Sequence, residues 1–220
     1  MITDIHPVAK NPLIRDYEAA IASCRRDFNI VNNDKTLFGA TPGAFQGNAS
    51  GPQGWRPSAY DIFNTWAASV LKQLIVLKDS GKLAPTLATQ ESFDAWHKAL
   101  IGSLQEHWKQ HAHPDFRLSQ RQAHKLVNLF VKWLRIKVPA DVRPLLEKHA
   151  HVTLNGPTLA RISELLGENE LGLPLDQDFT EWYADVQDRL RDFTHTHGGS
   201  PVLVDIWCRA AALGDPDEDA

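Results

Sequence analysis

Apolar side chains recur along this chain at spacings of three and four, the pattern of helices that bury one face. Residues 12–27 read as the first helix, with Asn11 as N-cap and Pro12 in the first turn. In residues 61–80, Ile62, Phe63, Trp66, Val70, Leu71, Leu74, Ile75 and Leu77 cover more than one face, which predicts a central, buried helix stopping at Gly81. A third helix is expected over 90–112, with Phe93, Trp96, Leu100 and Leu104 on one stripe. Residues 119–138 carry the cleanest pattern, with Ala123, Leu126, Val127, Phe130, Trp133 and Leu134 forming the buried stripe. Arg121, Lys125, Asn128, Lys132 and Arg135 recur at steps of 4, 3, 4 and 3 on the opposite side, so this helix is expected to have a core face and a basic face. A short helix over 141–148 follows, and Asn155-Gly-Pro caps another over 156–166 that ends at Gly167. Residues 178–196 turn Phe179, Trp182, Tyr183, Val186, Leu190 and Phe193 inward, and Ser200-Pro201 caps a last helix ending near Gly214. No segment alternates as a strand, and no internal repeat is visible.

One stretch breaks the pattern. Residues 29–57 hold five glycines and three prolines, which excludes a helix, yet Phe38, Phe45 and Trp55 sit among them. Interleaved rings favour a folded loop, either pinned to the core or contacting a ligand. The expectation is therefore an all-α, single multi-helix domain over 1–214 with one long Gly/Pro-rich loop, and an acidic disordered tail over 215–220.

Composition changes this picture. With 43% hydrophobic and 23% charged residues the chain has the make-up of a folded globule, and wholesale disorder is excluded. Seven Trp and nine Phe against one Met predict a core of bulky, rigid rings. No run of about 18 uncharged apolar residues exists, so no membrane partner is expected. The opening residues carry an early acid and a proline and lack an apolar stretch, so no secretory signal is read. Cys24 and Cys208 cannot form a disulfide framework, and a cytoplasmic location is the simplest expectation.

Charge is unevenly spread. Residues 117–149 carry eight Lys and Arg against two acids, whereas residues 164–220 carry fourteen acids against three arginines. The net charge of −4 argues against a nonspecific polyanion binder but leaves room for a local basic surface.

Few motifs carry chemistry. Neither standard phosphate-binding glycine loop nor a Ser-centred nucleophile elbow is present. Zinc through cysteine is excluded by two distant thiols, and the His107/His111 pair lacks an obvious third ligand, so no metal and no cofactor are expected. Arg191-Asp192 followed by His197 fits the Arg-polar-x4-His spacing of HEPN ribonucleases, where His serves as acid or base and Arg holds phosphate. The basic stripe Arg121, Lys125, Lys132 and Arg135 lies beside Arg117 and Ser119 at a helix start, where free amides and arginines suit a phosphate. These six are the candidate DNA contacts.

The stretch from Leu118 to Leu134, read as Leu-Ser-Gln-Arg-Gln-Ala-His-Lys-Leu-Val-Asn-Leu-Phe-Val-Lys-Trp-Leu, resembles the AQK-x-x-N-x-x-x-K-Y-L helix of a bacterial and phage family. That family's next motif, roughly His-Cys-Pro-hydrophobic-Asp, is similar to His151-Val-Thr-Leu-Asn155, which precedes the helix containing Arg161. Its closing helix is similar to Pro201-Val-Leu-Val-Asp205-Ile-Trp207, and the resemblance covers residues 117–212. The order of motifs resembles a degenerate helix-hairpin-helix DNA glycosylase domain, in which a hairpin grips the DNA backbone and an Asp opens the next helix. Two departures stand out: Arg117-Leu-Ser replaces the hairpin glycines, and Asn155 stands at the catalytic Asp position.

The resemblance implies hydrolysis of the N-glycosidic bond of a flipped, modified base in duplex DNA. A modified cytosine of phage DNA, and hence antiphage defence, is the suggested setting. An amide at 155 orients water but does not neutralise a cationic sugar, so a further carboxylate is needed, and Asp205 and Asp61 are the candidates. His151, Asn33, Phe38, Phe45 and Trp55 are the candidate base-pocket residues, the rings by stacking and the amide by reading a base edge. The alternatives are a HEPN-like ribonuclease using Arg191 and His197, and a catalytically inactive DNA-binding module. No obligate protein partner is evident.

Overall fold

The computed structural model describes residues 12–23, 37–45, 50–168 and 171–212. Among these residues there are nine α-helices: α1 (Pro12–Ser23), α2 (Ala59–Asp79), α3 (Leu83–Thr86), α4 (Gln90–His111), α5 (Gln120–Lys137), α6 (Arg143–His149), α7 (Gly156–Leu165), α8 (Phe179–His197) and α9 (Pro201–Ala212). Short 3-10 turns cover Pro42–Phe45 and Asp176–Asp178. No strand occurs among the described residues, and the one isolated bridge joins Leu37 to Ala40, so the chain is all-α. No described helix is long and apolar enough to cross a membrane.

The helix starts follow from local side-chain chemistry. Ser58 and Asp61 form a reciprocal capping box on α2, and Thr89 and Ser92 form one on α4. The Ser119 hydroxyl accepts from the Gln122 amide to open α5, and Asn155 Oδ1 accepts from the Thr158 amide to open α7. The short α3 was not expected, since its four residues are too few to show periodicity and include Pro85. Asn11, residues 24–27 and Asn33 lie outside the described residues.

Two hydrophobic cores form. The first gathers α2 to α6, with Phe63, Trp66, Phe93, Leu104, Trp108, Leu126 and Phe130 at its centre. The second gathers α1 with α7, α8 and α9 around Tyr17, Ile162, Phe179, Tyr183, Leu190 and Trp207. Chain order is therefore not spatial order. The Tyr17 ring lies 5.3 Å from Phe193 and 5.5 Å from Trp207, and its hydroxyl donates to the Gly198 carbonyl at 2.9 Å. α9 bridges the cores, with Val202 in the first and Val204 and Trp207 in the second.

The central position of α5 corrects the expected basic face. Arg121 is exposed, but Asn128 and Arg135 are buried, and Lys132 is turned inward to a buried partner. Arg135 pairs with Glu147 on α6 at 3.0 Å. Lys125 Nζ and Gln122 Nε2 both donate to the Ala44 carbonyl at 2.9 Å, so the loop covers this part of the helix. An amphipathic pattern cannot tell solvent from a second core, and here Asn128 and Lys132 meet α8 and α9 of the second group of helices.

The loop's rings also have packing roles. Phe38 lies 5.1 Å from Trp133, and Phe45 lies 5.7 Å from Phe63 and 5.9 Å from Tyr60. With Phe130 and Trp66 these rings make one aromatic ladder from Phe38 to Tyr60. Phe45 is 7% exposed, which corrects its expected role as a stacking face for a base. Gly39, at φ +82°, presses against the Leu129 carbonyl, where an added Cβ would sit 2.2 Å away, so the turn needs a residue without a side chain.

Candidate functional site

A buried, extended connector over residues 150–155 joins α6 to α7 and runs between the cores. Such a segment has no helix or sheet to satisfy its backbone, so side chains must do so. Gln187 on α8 brackets one residue, its Oε1 accepting from the Val152 amide at 2.9 Å and its Nε2 donating to the Val152 carbonyl at 3.0 Å. Asn128 on α5 donates to the same carbonyl at 2.9 Å. The next amide, Thr153, donates to Asp205 Oδ2 on α9 at 2.8 Å.

The same Asp205 oxygen accepts from Lys132 Nζ at 2.6 Å. Asp205 is fully buried and the Lys132 side chain is 15% exposed, so the pair is almost wholly enclosed. This is the pair that joins α5, α9 and the connector. Each charge offsets the cost of burying the other.

Beside it lies a directional polar network. The Val152 carbonyl fixes the orientation of the Asn128 amide, because only the NH2 group can face it. That amide's other proton goes to the Tyr183 hydroxyl at 2.8 Å, and its Oδ1 accepts from His97 Nε2 at 2.7 Å. Tyr183 then donates to His151 Nδ1 at 3.1 Å, which leaves the Nε2 proton of His151 for Asp94 Oδ1 at 2.8 Å. Gln90 donates to the same Asp94 oxygen and binds His149 Nδ1. Burial holds the imidazoles of His97, His149 and His151 below the usual histidine range and lowers His124 to about 4. Burial likewise pushes the Tyr183 phenol up. At Asp94 burial acts upward, but the hydrogen bonds from His151 and Gln90 outweigh it and hold the carboxyl below its ordinary value.

The residues singled out by sequence fall into separate places. Asp205, Lys132 and His151 come to the seam between the cores. Asn155 closes the connector, with its Oδ1 taken by the Thr158 amide and hydroxyl at 3.4 and 3.1 Å. Asp61 is exposed at the start of α2, where hydrogen bonds from the Ser58 hydroxyl and amide lower its carboxyl, so it does not join Asp205. Arg117 and Arg121 are exposed near the α5 N-terminus behind the Ser119 cap. The amides there are not free: Gln120 and Arg121 donate to the Asp176 carboxylate at 3.2 and 3.3 Å, which corrects the expected phosphate grip. Arg191 pairs with Asp188 and with Asp94 at 3.9 Å, whereas His197 pairs with Glu18 on α1 at 2.9 Å, so the ribonuclease-like pair is divided between different neighbours. Trp55 is exposed against His113, away from the rings of Phe38 and Phe45. His107 and His111 stack at 4.2 Å, and no described group of three or more residues is arranged to hold a metal.

Asp94, Asn128, Tyr183 and Gln187 were not predicted as site residues. Tyr183 and Asn128 were legible only as parts of helix faces. The available signal was polar residues, Asn128 and Gln187, at positions where a second apolar stripe would otherwise continue. No family model, curated protein or solved structure matches the chain.

Proposed function

We propose that this chain is a DNA glycosylase that hydrolyses the N-glycosidic bond of a modified base flipped out of DNA. The sequence resemblance suggests a modified cytosine of phage DNA, which makes the role antiphage defence. The observation that carries this reading is the Lys132–Asp205 pair, a mostly buried lysine held by a fully buried carboxylate that also binds the Thr153 amide, two residues of connector away from Asn155.

The chemistry follows from charge. Breaking the bond leaves positive charge on the sugar and electrons on the departing base. Lys132 donates a proton to the base as it leaves. Asp205, enclosed behind it, acts through its field and offsets the charge developing at the sugar carbon. Water adds to that carbon and returns a proton to Lys132, so one water is consumed, the base leaves protonated and the sugar gains a hydroxyl. The Asn155 Oδ1 is occupied by the α7 cap, which leaves its NH2 group to hold the water or a sugar oxygen.

Single-turnover base release from duplex oligonucleotides carrying 5-substituted cytosines, with unmodified DNA and RNA in parallel, tests the reading. Lys132→Arg keeps the ion pair but cannot give up its proton, and a loss on the order of a hundredfold or more is expected with little change in folding. Wild-type release by that variant contradicts the assignment. A second reading, a DNA-binding module without catalysis, is favoured by the use of Asn155 as a helix cap. It is identified by duplex binding with no base release from any substrate.

A further inference from the structure

At the far end of α4 from the seam, residues 50–57 hold an aromatic ring open to solvent. Of the seven tryptophans, Trp55 alone is exposed, at 40%. Its position is nonetheless fixed. The ring rests on Gly51, where an added Cβ would lie 2.2 Å from Trp55 Cγ, and the His113 ring meets it edge-on at 5.0 Å. Buried Ser50 anchors the loop, its hydroxyl donating to the Pro57 carbonyl at 2.9 Å and its carbonyl accepting from the His113 amide at 2.7 Å. Phe116 closes the other side of His113 at 5.7 Å, and its carbonyl accepts from the buried Trp108 indole. Gly51 and His113 therefore hold an indole that stays 40% exposed.

Two arginines stand next to this ring system in the chain. Arg56 follows Trp55 and Arg117 follows Phe116, and both are exposed. Two acids lie nearby and keep their charge, Asp61 within electrostatic reach of Arg56. Asp61 is tied to Ser58, and Asp115 turns toward His113, with a carboxylate oxygen 3.6 Å from its Nδ1. A flat, rigid aromatic face flanked by arginines matches a base and its neighbouring phosphates.

We infer that Trp55 is a stacking platform for an unpaired base of single-stranded DNA, with Arg56 and Arg117 holding the phosphates on either side. The platform goes beyond the proposed reaction. From Asp94 at the seam to His111 at this end, α4 rises about 25 Å, so the two places are separate contacts.

Fluorescence anisotropy of labelled dT12, with U12 and a blunt duplex alongside, tests it on the full chain. Trp55→Ala is expected to weaken dT12 binding about tenfold or more. Trp55→Phe, which keeps a ring on Gly51, retains most of the affinity. Arg117→Ala is expected to reduce the dependence of log affinity on log salt by about 0.7, the single-strand value for one phosphate contact. Circular dichroism should match wild type for all three. Affinity within twofold of wild type for Trp55→Ala, no dT12 binding by the wild type, or equal losses for Trp55→Ala and Trp55→Phe each overturn the proposal. Trp55-dependent dT12 binding without base release from duplex leaves the platform standing and removes the reaction at Lys132. Base release with Trp55-independent dT12 binding does the reverse.

Discussion

The two ends of α4 handle polar and aromatic chemistry in opposite ways. At the N-terminal end, Asp94 and His97 enter a network in which each donor has an assigned acceptor through Asn128, Tyr183 and His151. At the C-terminal end, Trp55 is held by Gly51 and His113 but left uncovered. The first region invests its polar groups in holding the cores and the connector together. The second invests backbone in presenting a side chain to solvent. Substitutions in the first should therefore move stability, and those in the second should move binding alone.

The sharpest way to break this contrast lies in the buried ion pair. Lys132→Met takes the ammonium away from the fully buried Asp205 carboxylate, and a loss of about 3–5 kcal/mol in urea denaturation is expected. Adding Asp205→Leu should recover part of it, because the buried charge is gone while the Thr153 amide loses its acceptor. A loss under about 1 kcal/mol for Lys132→Met would show that the pair does not hold the seam.

Acid should come next. His97, His124, His149 and His151 have lowered values in the fold, so the unfolded chain binds more protons once the pH falls through about 6.5. Stability is fully present above about pH 7 and is lost as the pH falls toward 4. For His124, a shift from 6.5 to about 4 corresponds to about 3 kcal/mol at most. Asp94 has a lowered value and contributes loss only below about pH 4, outside this window. Denaturation midpoints at pH 7 and 5 measure the effect, and a His124→Asn variant should show a smaller drop. Equal midpoints at both pH values contradict the neutral, buried assignment.

Gln187→Met keeps volume while removing both bonds to Val152, and about 1–3 kcal/mol is expected. Hydrogen exchange at the Val152 amide should accelerate more than at the Leu104 amide in α4. Uniform acceleration would mean that Gln187 does not act on the connector. Smallest of all, Trp55→Ala should change stability by no more than about 0.5 kcal/mol, since the ring is exposed.

Much of the helical layout was legible because spacing, caps and glycine stops agree. Gln90, Ser119, Asn155 and Pro201 mark starts that the structure keeps to within a residue. The site was less legible for a definite reason. Periodicity reports that Lys132 and Arg135 lie opposite Leu126 and Phe130, but not what lies beyond them. Beyond Lys132 stands α9 of the second core, which includes α1 from the other end of the chain, and beyond Arg135 stands Glu147 of α6. Asp205 and His151 were identified as candidates from the resemblance, yet their partners Lys132, Thr153 and Asp94 come from distant segments. Phe38, Phe45 and Trp55 looked alike in the sequence, and only the fold separates the two that join the aromatic ladder from the one that faces out.

The most direct test of the reaction at the seam is single-turnover release of a 5-substituted cytosine from duplex DNA, followed by mass spectrometry of the freed base and by abasic-site cleavage. Wild type should release the base, Lys132→Arg should be slower on the order of a hundredfold or more, and Trp55→Ala should release it at the wild-type rate from a blunt duplex. Release by Lys132→Arg at the wild-type rate, or no release by wild type from any modified duplex, would contradict a glycosylase centred on Lys132 and Asp205.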